Sequence, residues 1–143
     1  MNLAEAGVAA ALDVEDGLSE IAPLFAENFR KLSAALCAMK MDGGAPGVKS
    51  ICAAQGGYFL VAETHGIPDV DFCRQLAEEK GVVCTPMSVF YASEDVWTEE
   101  QPCCLVRFTV CKSKEHIDRA CKQLRTKSAL IRRNQKEEDK CWF

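Results

Sequence analysis

Long hydrophobic runs are missing from this sequence. No apolar stretch approaches the roughly 18–20 residues that a membrane-spanning helix requires, so no membrane span is expected. Basic residues are missing from its beginning. The first of them is Arg30, after Glu5, Asp13, Glu15, Asp16, Glu20 and Glu27, whereas secretory and mitochondrial presequences are basic. A surplus of positive charge is lacking too: the net charge is −4 and the pI about 5.2, which argues against a nucleic-acid partner. There is no Cys-x-x-Cys and no histidine at ligand spacing, which removes the usual zinc frameworks. Neither internal repeats nor low-complexity tracts occur. These absences leave a cytoplasmic protein as the expectation, with a mitochondrial one as the alternative if the native N-terminus lies upstream of Met1.

Cysteine, by contrast, is plentiful. Nine occur, at positions 37, 52, 73, 84, 103, 104, 111, 121 and 141. Most occupy apolar positions in periodic segments, so the expectation is buried free thiols acting as small hydrophobes, with Cys141 the most exposed. A length of 143 residues with 48% hydrophobic and 27% charged residues suits one globular domain with a respectable core.

Periodicity organises the chain. Val8 to Leu12 reads as a short helical stretch that Gly17 breaks. A longer helix is expected from about Pro23 to Met39, because Leu24, Phe25, Phe29, Leu32, Leu36 and Met39 recur on one face. The glycines and proline of 42–47 then make a loop. Tyr58 to Ala62 lacks polar alternation and suits a strand covered on both faces. Asp69 is placed as the cap of a helix that runs to Lys80, buries Phe72 (or Cys73) and Leu76, and ends at Gly81. Val82 to Thr85 reads as a short strand that Pro86 ends, and 93–102 as an acidic loop. A last strand around Arg107 precedes a helix from about Lys114 with Ile117, Cys121 and Leu124 on one face. This order predicts an α+β sandwich, a small and mainly antiparallel sheet covered by helices. The expected organisation is a lead-in segment over 1–22, one domain over 23–124 and a polar tail over 125–143.

Arg107 is the residue with the most chemical content. It lies in Cys104-Leu-Val-Arg-Phe-Thr-Val-Cys111, where alternation puts Leu105, Arg107 and Thr109 on one face and Val106, Phe108 and Val110 on the other. One face can be buried while Arg107 is aimed from the other at a carboxylate, which its planar fork binds with two hydrogen bonds. An exposed, merely solvated arginine is the alternative.

Four segments together resemble one family. Gln55-Gly-Gly-Tyr-Phe-Leu-Val-Ala-Glu63, Phe72-Cys-Arg-Gln-Leu-Ala-Glu-Glu-Lys-Gly81, Val82-Val-Cys-Thr-Pro-Met-Ser-Val-Phe-Tyr91 and Leu105-Val-Arg-Phe-Thr-Val110 follow the order of the fold-type I pyridoxal-phosphate aminotransferases. The Pro86-x-Ser-x-Phe-Tyr-x-Ser93 form is most like the kynurenine aminotransferases, also known as glutamine transaminase K or cysteine-conjugate β-lyase. The likeness covers about residues 5–124 and implies the small, C-terminal domain of such an enzyme. It implies that Arg107 binds the α-carboxylate of an amino-acid or 2-oxo-acid substrate, and that Gly57, Tyr58, Phe90 and Tyr91 stand near that substrate. Tyr58 and Phe59 have an equal alternative as core aromatics.

The resemblance also implies what this chain should not do alone. The family's pyridoxal phosphate is held by a lysine, an aspartate and phosphate ligands in a large domain that nothing in residues 1–50 resembles. The chain by itself is therefore expected to bind no cofactor and to be inactive, with a large-domain partner or a homo-oligomer completing it. The alternative is a noncatalytic relic of an aminotransferase that serves as an interaction or assembly module.

Overall fold

The computed structural model describes residues 10, 19–41, 47–54, 56–91, 97–98 and 101–126. Most of the Val8–Leu12 stretch, the glycine loop up to Gly47, most of the acidic loop and nearly all of the tail, Cys141 included, lie outside the described residues. Three helices and four strands follow one another as α1 (Ile21–Ala38), β1 (Val48–Ile51), β2 (Phe59–Thr64), α2 (Asp69–Lys80), β3 (Thr85–Pro86), β4 (Leu105–Thr109) and α3 (Lys114–Arg125). The sheet is antiparallel throughout, in the order β1-β2-β4-β3. The expected α+β architecture is what the chain adopts.

The core lies on one face of that sheet. Leu60, Ala62, Val106, Phe108 and Val110 are buried from the strands. Leu32 and Leu36 of α1, Phe72 and Leu76 of α2, and Ile117 and Leu124 of α3 join them in one cluster. The three-to-four spacing of each helical set puts these side chains on a single stripe, and burying that stripe is what holds a helix of this length. α1 begins two residues before Pro23, whose missing N–H costs nothing in a first turn that has no intrahelical partner to offer.

Four readings of the sequence need correction. β2 is covered on one face only, since Phe59 is exposed while Leu60, Ala62 and Thr64 are buried. The strand expected over 82–85 is instead the pair Thr85–Pro86, at the sheet edge, where a residue with no N–H is tolerated. Asp69 is the first residue of α2 rather than its cap, which is Pro68. Of the described cysteines only Cys84, Cys103 and Cys121 are buried, because Cys37, Cys52 and Cys111 sit at outward positions of their segments.

Polar ties fix the helices to the sheet. Asn28 is wholly buried on the apolar face of α1, and its side-chain amide donates to the carbonyls of Val110 at 2.9 Å and Lys112 at 2.8 Å. It thereby anchors α1 to the end of β4. The buried Lys80 donates to the Thr126 carbonyl at 2.8 Å and joins the ends of α2 and α3. Ser113 caps α3, its hydroxyl oxygen accepting from the backbone N–H of His116.

Asn28→Ala takes the side-chain donor from one buried and one part-buried carbonyl, which costs about 1–3 kcal/mol. The urea midpoint should fall accordingly with an unchanged denaturant slope. An unaltered midpoint would show that these bonds contribute nothing net.

Candidate functional site

The uncovered face of the sheet carries the candidate site. β2 and β4 pair so that Leu60 faces Phe108 and Ala62 faces Val106 on the core side, while Val61 faces Arg107 on the open side. Thr85 of β3 flanks Arg107 from the other edge. Arg107 is therefore half-buried in the middle of three strands, beside two uncharged residues.

Two aromatic rings enclose its guanidinium. The ring of Phe59, diagonal to Arg107 across the β2–β4 ladder, lies 4.1 Å from the guanidinium carbon, and the ring of Phe90 lies 4.3 Å from it. Contacts of this kind at partly exposed sites are worth about 0.5–1 kcal/mol each. They hold the group without neutralising it. Both rings stay half open to solvent, so they form a rim as well as a clamp.

The turn that carries Phe90 is held from α2. Asp69 is buried, and its carboxylate accepts hydrogen bonds from the backbone N–H of Ser88 at 2.7 Å and of Val70 at 2.9 Å. Ser88 opens the single 3-10 turn Ser88–Phe90. Asp69 also donates its own N–H to the Cys103 carbonyl at 2.8 Å, so it joins α2, that turn and the approach to β4.

No carboxylate among the described residues pairs with Arg107. Glu63 shares its face but is occupied: Lys49 Nζ lies 2.7 Å from one carboxylate oxygen and Ser50 Oγ 3.0 Å from the other. Hydrogen bonds from Lys49 and Ser50 hold the Glu63 carboxyl below its ordinary range, so it stays charged and satisfied locally. Arg107 thus keeps a hydrogen-bonding edge for something else.

The other expected site residues fall into two places. Gly57 takes a left-handed φ of 98°, yet a side chain there would meet nothing within 4 Å. It makes the turn into β2. Tyr58 is exposed and leans on Phe25 of α1, edge-on at 5.8 Å, reaching the Arg107 cluster through Phe59 at 6.4 Å. Tyr91 is exposed and stacks edge-on to Trp97 at 5.3 Å. Phe59 is the residue that sequence reasoning left between core and site. Its parity with Val61 and Glu63 in β2 was the available signal.

Two of the described lysines are committed to partners within the chain. A lysine that forms a Schiff base must lose its proton readily. Lys49, the lysine within the sheet, is pushed the other way by its hydrogen bond and charge pairing with Glu63. Lys80 is buried but committed to the Thr126 carbonyl. No His, Cys, Asp or Glu cluster among the described residues could hold a metal, and no described helix is long and apolar enough to cross a membrane.

Comparison with known proteins supplies the context for this geometry. The sequence model of the family described as "Aminotransferase class I and II" matches residues 2–124. Curated proteins from two strains of Mycobacterium tuberculosis, each named "Probable N-succinyldiaminopimelate aminotransferase DapC", are 40% identical over 80 residues. That alignment takes in 48% of this chain and 19% of the relative. Among solved structures, N-succinyldiaminopimelate aminotransferase from M. tuberculosis superposes with a TM-score of 0.60 at 32% identity, covering 82% of this chain and 28% of that one. YbdL from Escherichia coli, described as having a methionine aminotransferase function, gives 0.54 at 27% identity over 71% of this chain and 24% of that one. The chain spans about a fifth of the length of the curated relatives it matches.

The enclosure of Arg107 can be measured directly. A double-mutant cycle pairing Phe59→Leu with Arg107→Gln should return a coupling of about 0.5–1 kcal/mol in unfolding free energy. Additive effects would mean that the ring does not hold the guanidinium.

Proposed function

Because the chain belongs to the class I and II aminotransferases, a family dependent on pyridoxal phosphate, we propose that it is the small domain of a longer transaminase and that Arg107 grips the substrate's α-carboxylate. The observation that carries this reading is the state of Arg107: half-buried, with its guanidinium carbon over the rings of Phe59 and Phe90, and free of any ion pair among the described residues. A guanidinium packed against rings still offers its in-plane N–H groups. A carboxylate lies in that same plane and takes two of them at once.

Transamination suits such a clamp. The amino-acid donor and the 2-oxo-acid acceptor share an α-carboxylate, so one arginine serves both. Holding that group fixes the orientation of the adjacent Cα, and orientation is the contribution this chain makes. Pyridoxal phosphate supplies the electron sink in the family. On this reading the residues that hold it belong to the longer protein, which carries out turnover, and the chain alone is inactive. The substrate's own side chain would run along Phe90 and Tyr91. An apolar or long side chain fits there, in keeping with relatives named for N-succinyldiaminopimelate and methionine.

Arg107→Lys in the longer enzyme tests this. The substitution keeps the charge and loses the fork, and a charged hydrogen bond is worth about 1.5–3 kcal/mol. The kcat/KM for an amino acid should fall about ten- to a hundredfold with the melting temperature almost unchanged, since the packing side chains of β4 lie on the other face. Turnover of the matching amine without an α-carboxylate should be nearly indifferent. Intact amino-acid catalysis, or loss of the fold, would overturn the assignment.

A further inference from the structure

Two of the free thiols face each other on the segment that supports Phe90. The sulfurs of Cys73 and Cys84 are 3.3 Å apart and belong to residues eleven positions apart in the chain. We infer that Cys73 and Cys84 are a dithiol that a two-electron oxidant of the hydroperoxide class closes into an intrachain disulfide, a covalent modification site joining α2 to the lead-in of β3.

The fold explains the pairing. Asp69 and Cys73 are one helical turn apart on α2 and share a face. That face meets the returning chain at two points: Asp69 at the Ser88 N–H and Cys73 at Cys84. The second contact is a rung below the first, and Gly81, with its left-handed φ of 67°, makes the turn that brings the chain back. A disulfide needs its sulfurs at about 2.0 Å. Closure therefore asks for little more than an ångström of side-chain adjustment between elements that are already packed.

The two cysteines have different parts. Cys73 is partly exposed and Cys84 is buried, so the oxidant meets Cys73. Its sulfur attacks a peroxide oxygen, the O–O bond breaks, and a sulfenic acid and one water result, the thiol proton leaving with that water. Cys84 sulfur then attacks the sulfenic sulfur, the S–O bond breaks, and the hydroxyl departs with the Cys84 proton as a second water. Two thiols have lost two electrons and two protons, and hydrogen peroxide has gained them. The hydrogen bond with Cys73 and the burial of Cys84 push its thiol up, which keeps Cys84 from being the first to meet the oxidant. Cys103 and Cys121 are buried with no sulfur contact of this kind among the described residues.

The product would close a loop that includes Gly81 and Val82, and it would restrain the unfolded chain as such loops do. It also adds a covalent rung parallel to the Asp69–Ser88 bond, on the support of the Phe90 turn.

The test uses the full chain with the exposed Cys37, Cys52 and Cys111 changed to serine, titrated with hydrogen peroxide. The expected product is a monomer lighter by two hydrogens, whose digest yields one peptide pair linked through Cys73 and Cys84. Its thermal midpoint should shift upward, and dithiothreitol should reverse both changes. In Cys84→Ser, Cys73 should accumulate as a sulfenic acid that dimedone labels. The inference is overturned if Cys73 proceeds to sulfinic acid with Cys84 still alkylatable, if the linked pair maps elsewhere, or if both thiols remain free at peroxide levels that oxidise Cys73 in the Cys84→Ser chain. Absence of dimedone labelling would overturn the order of the two steps.

Discussion

The register between Phe59–Thr64 and Leu105–Thr109 is the constraint on which this structure rests. It sets Leu60 against Phe108 and Ala62 against Val106 beneath the helices, and it leaves Val61 and Arg107 outside. Side chains alternate with a period of two, so a slip of one residue in β4 would turn Arg107 into the core and expose Val106 and Phe108. A buried, unpaired guanidinium costs far more than any single contact in the sheet returns. Apolar burial on one face and a cation on the other therefore select the same register. The position of Arg107 is a consequence of packing on the side of the sheet it does not occupy.

Around that register, polar side chains act as fixed points rather than as a reactive set. Asn28 anchors α1 to the end of β4, Lys80 joins the ends of two helices, and Asp69 holds the turn that places Phe90. Each is buried and each makes hydrogen bonds to backbone, which is what makes its burial tolerable. The aromatic enclosure of Arg107 has a different character. An ion pair would fix the guanidinium by cancelling its charge, whereas two rings fix it and leave its edge available. Glu63, the acid on the same face, is kept occupied by Lys49 and Ser50, and this division of charges preserves the cation.

The family relationship accounts for the breadth of the likeness and for its limits. Class I and II aminotransferases match nearly the whole described fold, and the solved relatives are about four times longer than the matched part. On the proposed reading the chain contributes a rigid sheet, one well-placed cation and an apolar rim, and the groups that transfer protons belong to the longer protein.

Much of this was determined by the sequence alone. The three-to-four spacing of α1 and α3, Gly81 at the end of α2, Ser113 at the start of α3 and the alternation about Arg107 are local signals with local causes, and each is realised. The short edge strand β1 escaped notice, because Val48-Lys-Ser-Ile51 carries two exposed polar residues and a bulge beside Val48. Other features were decided only when distant segments met. Whether Phe59 belonged to the core or to the site depended on which face of β2 the helices would cover, a choice its own neighbours do not express. Asp69 carries the composition of a helix cap, yet its partner is Ser88, nineteen residues away. Cys73 and Cys84 read as two small hydrophobes until the turn at Gly81 sets them side by side. Local propensity and periodicity depend on near neighbours and can be read in one dimension; the partner of a buried carboxylate, ring or thiol is fixed by which surfaces pack together, and that exists only in three.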